Sequence, residues 1–272
     1  MKNTQYLKLG PIKRKQSKVY GLVATCFWLM VWEVACRWID NTILMVSPVQ
    51  VFFTLMDMMK TVEFYHELFT TLARILGGFF SGFFLGISFA TLAYKYEIVS
   101  YLLKPIVSVI KSTPVAAFII LVLIWVGSSY LVVVIALLMV FPVIYSNIYQ
   151  GYCQVQPEMI EMSAIFRLSF RRKIRYIYLP SLIPYLTVGS TLSLGLCFKA
   201  GIAAEVIGIP AGSIGASLYN AKLYLDINTV FAWTIVIIVC SVCLERLALF
   251  MIRKGYEHLG GNLNNDRIKK GM

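Results

Sequence analysis

The 272-residue sequence contains little charge, and this absence sets its class. Only 14% of its residues are charged, whereas 59% are hydrophobic and the mean hydropathy is +0.75. Soluble domains typically carry about 25% charged and about 45–50% apolar residues. The composition therefore predicts an integral membrane protein in contact with a lipid bilayer.

The charge that is present is mostly basic, with a formal net charge of +12. In a soluble protein this excess would suggest a nucleic-acid partner. In a membrane protein, basic residues instead mark cytoplasmic loops and face anionic lipid. We therefore expect no nucleic acid among the partners.

The sequence also lacks the motifs of common catalytic sites. It has only two histidines, and it contains no H-E-x-x-H, no G-x-x-x-x-G-K-[ST] and no G-x-S-x-G. Cys240 and Cys243 form a C-x-x-C inside an apolar run, where redox or metal chemistry is not expected. We predict a chain that is not an enzyme, holds no cofactor or metal, and borrows energy from an ion gradient or from an ATPase on another chain.

Six apolar runs are long enough to cross a bilayer and predict an all-α protein with about six transmembrane helices. They lie at about residues 20–39, 72–94, 103–126, 131–149, 181–204 and 230–252. Between the first two, the stretch from Ser47 to Phe69 predicts an amphipathic helix on the membrane surface or against the bundle. The glycine-rich stretch between the last two predicts a re-entrant turn or a gate.

Two features inside the runs carry packing predictions. Glu33 and Arg37 are four residues apart and are expected to pair, because unpaired charges in lipid are costly. Gly78, Gly82 and Gly86 repeat every four residues, which permits close helix contact. We favour contact within the chain over contact with a second subunit.

The distribution of Lys and Arg predicts the orientation. If the N-terminus is cytoplasmic, the cytoplasmic pieces hold nearly all of these residues, and the other side has little beyond Lys60 and Lys222. This divides the chain into a basic cytoplasmic tail (1–19), one transmembrane domain (20–252) and a cytoplasmic C-terminal tail (253–272). Both termini are then cytoplasmic.

The stretch between the fourth and fifth runs is the densest in charge and is expected to be cytoplasmic. Pro157 marks a helix start, with Glu158 in the first turn. An apolar stripe follows at helical spacing, made of Met159, Met162, Ile165 and Phe166. The stripe either docks into a groove on a partner or packs against the chain's own helix ends, and the pattern alone does not separate these alternatives.

This stretch resembles the signature of membrane subunits of bacterial ABC importers, which is EAA followed by Gly and then Ile-x-Leu-Pro. Glu161, Ile177, Leu179 and Pro180 stand at matching positions, and Met162 and Ser163 replace the two alanines. Arg167 replaces the glycine. The bend at this point therefore either differs or does not need a positive φ.

The resemblance extends over most of the chain and is closest to the nitrate, sulfonate and taurine branch of these permeases. The residues that suggest the branch include KSTPVAAFIILVLIWVG in the third run and AAEVIGIPAGSIG after the fifth. It implies a multi-pass subunit in the bacterial cell membrane, with a second permease subunit of the same kind. It also implies a cytoplasmic ABC ATPase dimer that binds the ATP and an extracytoplasmic solute-binding protein.

The resemblance further implies that residues 155–180, here named the coupling segment, sit in a cleft of the ATPase. The residues expected to carry this contact are Glu158, Glu161, Met162, Ile165, Phe166, Arg167, Leu179 and Pro180. The solute would be a small sulfonate-like, nitrate-like or taurine-like anion, or a vitamin precursor.

Charged and polar residues in or near the runs are candidates for the translocation path. Lys199 is deep and would favour an anion, while Glu205 suits a structural role at an outer gate better than solute binding. Ser112 and Thr113 either line the path or pack. Lys111 is expected to reach the cytoplasmic face.

Two other functions fit a polytopic chain. An ion-coupled secondary carrier would predict a midplane acid paired across an inverted repeat, and neither is evident in the sequence. A membrane scaffold or receptor without transport remains the other alternative.

Overall fold

The structure, a computed structural model, describes residues 14–39 and 45–258, and those residues form helices and short connections. The helices are α1 (Arg14–Ile39), α2 (Pro48–Met58), α3 (Val62–Lys95), α4 (Glu97–Ser112), α5 (Val115–Val126), α6 (Ser128–Cys153), α7 (Pro157–Ile165), α8 (Phe170–Lys173), α9 (Leu179–Gly208), α10 (Ile214–Leu223) and α11 (Ile227–His258). A π-helical turn, Ile174–Tyr178, joins α8 to α9. The predicted all-α membrane fold is confirmed.

Helix α6 is the centre of the bundle, because α3 and α9 pack along most of its length. Its side chains supply much of the buried core, including Leu131, Ile135, Val140 and Ile144. The core continues into α3 and α9 through Ile75 and Phe198 and is joined by α5 and α11. A helix that is apolar all round is buried on all sides, which explains this position.

The glycine row of α3 makes the contact with α6 close. A Cβ atom at Gly82 would lie 2.9 Å from both Leu137 O and Val140 Cβ, and one at Gly86 would lie 2.9 Å from Ile144 Cβ. A Cβ at Gly78 would collide with Val133 O and Ala136 Cβ. The prediction that this row packs within the chain is confirmed.

Most of the predicted spans are present among the described residues. Four helical stretches there are long and apolar enough to cross a membrane, comprising α3, α6, α11 and the stretch from Phe170 to Gly208. The α4–α5 pair makes a fifth if it is one span, but it is bent by 107°. The predicted first span corresponds to α1, part of which lies outside the residues whose side chains the structure describes, so this span stays a prediction.

The bend between α4 and α5 lies at Ser112-Thr113-Pro114, within the third apolar run. Pro114 cannot continue the hydrogen bonding of α4, and it biases Thr113 away from the helical region. Thr113 has φ −79° and ψ 133°, which is extended backbone. The third apolar run is therefore two helices in different directions.

The predicted surface helix is shorter than the sequence indicated. Helix α2 ends at Met58, and Thr61 starts α3 by accepting a hydrogen bond from Phe64 N at 3.4 Å. Residues from Val62 onward therefore belong to a 34-residue helix. Helix α2 packs against α11, where Val51 and Ala232 are fully buried, and this confirms the alternative in which it lies against the bundle.

Helix α1 is held to the rest of the chain by polar contacts and by α2. Arg37 Nε donates to Glu33 Oε1 at 2.9 Å, as predicted, and Ser47 Oγ donates to Glu33 Oε2 at 2.6 Å. Ser47 also caps α2 by accepting from Val49 N at 3.2 Å. Glu33 therefore joins the two helices.

Candidate functional site: the coupling segment and the polar cluster beside α10

The coupling segment begins with a nine-residue helix, α7, which lies between α6 and α9 in the chain. Pro157 occupies its first turn, where the missing N–H costs nothing. Glu158 and Glu161 are exposed, and neither forms a salt bridge among the described residues. Their charges are therefore available to another molecule.

The apolar stripe of α7 faces away from the bundle. Ile165 is 78% exposed and Phe166 is 71% exposed, and Met159 and Met162 are also exposed. The opposite face points inward, because Ser163 is buried and its hydroxyl donates to Ile160 O at 2.6 Å. The geometry excludes the alternative in which the stripe packs against the chain's own helix ends.

The bend after α7 uses a left-handed residue, and that residue is Arg167 with φ 45°. Arg167 N donates to Ala164 O at 3.0 Å, and Leu168 N donates to Ser163 O at 2.9 Å. This pair of hydrogen bonds is the Schellman arrangement that usually ends on glycine. The bend therefore uses a positive φ at Arg167, and the alternative in which it does not need one is wrong.

The second half of the coupling segment returns the chain to the bundle. Ile177 is buried, and Leu179 and Pro180 are half-buried where α9 begins. These residues attach the coupling segment to the bundle, whereas the residues of α7 form its exposed surface.

A tyrosine cluster that sequence reasoning missed fixes this anchor. The ring of Tyr178 lies 5.8 Å from that of Tyr152 on α6 and 6.4 Å from that of Tyr94 on α3, while Tyr94 and Tyr152 stack at 4.8 Å. Thr91 Oγ1 lies 3.1 Å from Tyr152 Oη. The three rings are 26 or more residues apart in sequence, so no local pattern indicated them. They connect the coupling segment to the two core helices.

At the other end of α9, Glu205 lies at the centre of a buried polar cluster. Its side chain has no exposed surface, and its Oε2 accepts from Thr71 Oγ1 at 2.9 Å and from Gly215 N at 3.1 Å. Thr71 Oγ1 in turn accepts from Ile214 N at 3.0 Å. Buried carboxylates require such partners, so this cluster fixes the start of α10 against α3 and α9.

Two further contacts hold α10 and the loop before it. Arg74 lies 3.8 Å from Glu205 Oε1, and its other terminal nitrogen donates to Ala211 O at 3.4 Å. Ser217 Oγ donates to Glu67 Oε1 at 2.6 Å. The glycine-rich loop is therefore tied down and contains a ten-residue helix, too short to cross a bilayer.

The remaining candidates for the path lie apart from this cluster. Ser112 and Thr113 are at the bend of α4, and their hydroxyls both donate to Val109 O. Lys111 Nζ donates to Ser146 Oγ on α6 at 2.6 Å. Lys199 is exposed on α9. Among the described residues, no group of three or more His, Cys, Asp or Glu side chains is placed to hold a metal ion.

Comparison with known proteins identifies the class. Residues 82–254 match the family described as "Binding-protein-dependent transport system inner membrane component", and the chain belongs to that family. It is a membrane permease subunit of an ABC importer, and such a subunit requires an ATPase and a substrate-binding protein as partners.

Individual relatives agree with this class. A putative aliphatic sulfonates transport permease protein of Bacillus subtilis is 24% identical over 93% of this chain and 92% of its own length. The nitrate import permease protein of Synechocystis is 24% identical over 84% and 86%. The formylaminopyrimidine transport permease protein of Halalkalibacterium halodurans is 27% identical over 71% and 78%.

The fold has a counterpart of known structure. A chain of the MetNI methionine ABC transporter, in an inward-facing conformation, matches with a TM-score of 0.54 and 20% identity. The match covers 72% of this chain and 96% of that chain. It supports the permease fold.

Proposed function

We propose that this chain forms the translocation path for a small solute delivered by an extracytoplasmic binding protein, and that the coupling segment docks on a separate cytoplasmic ATPase. The observation that carries the proposal is the outward stripe of α7. Apolar side chains exposed beyond the membrane spans are costly unless a partner covers them. A groove that accepts an amphipathic helix is the matching partner surface.

The assembly follows from the same surface. Two copies of the chain would present two coupling segments to an ATPase dimer, so we propose a homodimeric permease. The basic residues after α7 support a cytoplasmic position for the segment, and with it cytoplasmic termini and a location in the bacterial inner membrane. The division into tails at 1–19 and 253–272 and a domain at 20–252 belongs to this proposal.

The mechanism is alternating access driven by contact. ATP binding would close the ATPase dimer and draw the two copies of α7 together. The tyrosine cluster would pass this displacement from Tyr178 to α3 and α6, and the path would open outward. Hydrolysis would reset it. In this scheme the ATP chemistry is on the partner, and this chain needs no cofactor.

The names of the relatives suggest the solute class. Proteins named for sulfonates, nitrate and taurine are among them, and one is named for formylaminopyrimidine. We propose a small anion of the first group as the solute, with a pyrimidine vitamin precursor as the alternative.

The docking role is tested with Glu161→Lys. We expect this variant to abolish ATP-dependent uptake and to weaken co-purification of the ATPase, because it reverses an exposed charge beside the stripe. Membrane insertion should be unaffected. The matched control is Asp57→Lys on α2, whose carboxylate is also exposed and pairs with the neighbouring Lys60. Uptake that is unchanged in Glu161→Lys would exclude docking through this helix.

A further inference from the structure

Lys199 is the single charge on the exposed surface of α9. Seven residues of this 30-residue helix are exposed, and they recur every three or four positions along one stripe. The other six are Pro184, Val188, Leu192, Leu196, Ala203 and Ile207. A stripe that is otherwise apolar would suit lipid or a protein interface, so the lysine requires an explanation.

The position of Lys199 along the helix makes lipid exposure costly. It lies nine residues, or about 13 Å, from the end of α9 at Gly208, and about 30 Å from Leu179. Helical side chains lean toward the N-terminal end of their helix. The Lys199 side chain therefore leans away from Gly208, the nearer end of α9, so its ammonium group does not easily reach the membrane surface at that end.

Within the described residues, Lys199 has neither a salt bridge nor a hydrogen-bond partner. Two other cations in the spans differ, since Arg74 contacts Glu205 and Lys111 contacts Ser146. A charge within a membrane that has no protein partner normally faces water or a ligand.

The surface beside Lys199 is open. Gly195 lies one helical turn toward the N-terminus, where the lysine side chain leans, and a Cβ atom added there would have no neighbour within 4 Å. Glycine thus leaves open space on this face of α9, one turn from Lys199, which a ligand can approach.

From this geometry we propose that Lys199 and the open surface at Gly195 form a binding position for a small oxyanion, such as a sulfonate or nitrate, in the translocation path. This inference rests on the proposed function and deepens it, because it places anion selection on the permease as well as on the binding protein. An ammonium group without a protein partner attracts a ligand of negative charge, and the glycine at 195 leaves room for that ligand.

The test uses a cysteine as a local probe. Gly195→Cys is introduced into a chain whose six native cysteines are replaced, and the full transporter is assembled with its ATPase and binding protein. The thiol is treated with 2-sulfonatoethyl methanethiosulfonate, which carries an ethanesulfonate group, and with its trimethylammonioethyl counterpart of opposite charge. Rates are measured in the nucleotide-free and ATP-bound states.

We expect the anionic reagent to be favoured, and this preference to fall roughly tenfold in Lys199→Met and to persist in Lys199→Arg, because a single nearby charge produces it. Leu192→Cys is the matched control on the same stripe, two turns from the lysine. Its preference should depend much less on Lys199.

Three results would overturn the proposal. The first is that the cysteine at 195 reacts with neither reagent in either state, because the stripe would then lie in lipid or in a dry interface. The second is that the preference for the anionic reagent is the same in Lys199→Met. The third is that this preference disappears when phosphatidylglycerol is added to phosphatidylcholine vesicles, because a lipid headgroup would then be the anion that Lys199 binds.

Failure of the proposed function has a different signature. In that case the unmodified chain neither co-purifies with the ATPase nor supports ATP-dependent uptake, whatever the reactivity at position 195. If uptake is present, Lys199→Met should lower the uptake of ethanesulfonate more than that of neutral formylaminopyrimidine, and an equal loss of both would argue against anion selection.

Discussion

The two ends of α9 treat polar and apolar groups in opposite ways. At the α10 end, a carboxylate is fully buried and receives hydrogen bonds from two other segments. At the coupling segment, the carboxylates are exposed and form no salt bridge with any residue that the structure describes, and the apolar side chains point outward. The polar groups of the first end are held mainly by contacts within the chain, whereas the second end leaves a surface that the proposed ATPase would cover.

Removing Glu205 should produce the largest loss of stability. Glu205→Ala leaves Thr71, Arg74 and the N–H of Gly215 without their partner inside the protein, and we expect a cost of about 3 kcal/mol in the free energy of unfolding. Thermal unfolding of the purified chain measures it. The matched variant Glu161→Ala, at the exposed end, should change stability by less than about 0.5 kcal/mol. Similar losses for both would remove the contrast between the two ends.

Helix α3 contacts both regions, through Thr71 and Tyr94, and disturbing its packing on α6 should give the second-largest loss of stability. Gly78→Ala places a methyl group against Val133 O and Ala136, and we expect a loss of about 2–3 kcal/mol through overpacking. Gly77→Ala is the control, because its Cβ would meet nothing within 4 Å. That variant should be neutral or more stable by about 0.5 kcal/mol. Equal effects at the two positions would mean that the helices do not approach closely there.

Phe166→Ala should separate binding from stability. The ring is exposed, so the unfolding midpoint should hardly change, but the affinity for the ATPase should fall about 30-fold, as for an aromatic residue at the centre of an interface. Surface plasmon resonance with the ATPase measures this. Phe84→Ala is the control, since Phe84 is also exposed but lies on α3. An unchanged affinity would show that the stripe is not the contact.

The smallest effect should come from the bend. Arg167→Gly removes the cost of a left-handed φ in a non-glycine residue, whereas Arg167→Ala removes the same side chain and keeps that cost. We therefore expect the free energy of unfolding of Arg167→Gly to be higher than that of Arg167→Ala by about 1 kcal/mol. Comparison of the two unfolding temperatures isolates the backbone contribution. If Arg167→Ala and Arg167→Gly unfold at the same temperature, the bend does not require the left-handed conformation in solution.

Much of the fold was predictable from local pattern. Hydrophobic run lengths located α6, α9 and α11, and the glycine spacing indicated the close face of α3. The errors occurred where long and short apolar stretches join. Residues 62–69 have the amphipathic pattern of the preceding surface helix, yet the cap at Thr61 assigns them to α3. The third run has the length of one span, and Pro114 indicates a break in it, but the 107° change of direction there is a backbone geometry that hydropathy does not contain.

The candidate site, like the fold, was predictable from local sequence pattern only in part. The spacing of Glu161 and Pro180 indicated the coupling segment, and helical periodicity indicated its stripe. Which way the stripe faces depends on where α7 sits relative to α6 and α9, and this is a property of the packed bundle. The tyrosine cluster and the contacts of Glu205 join residues far apart in the chain, so no window of sequence could reveal them.

By itself, the sequence determined the membrane class, the helical periodicities and the spacing of the coupling segment, because these follow from composition and from the geometry of single helices. Only the tertiary structure decided that Glu205 is an internal tie, that Arg167 adopts a left-handed conformation, and that Lys199 stands alone on an apolar stripe. Burial and pairing depend on which other segments surround a residue. Packing on α6 brings those neighbouring segments together, and the local sequence around a residue does not identify them.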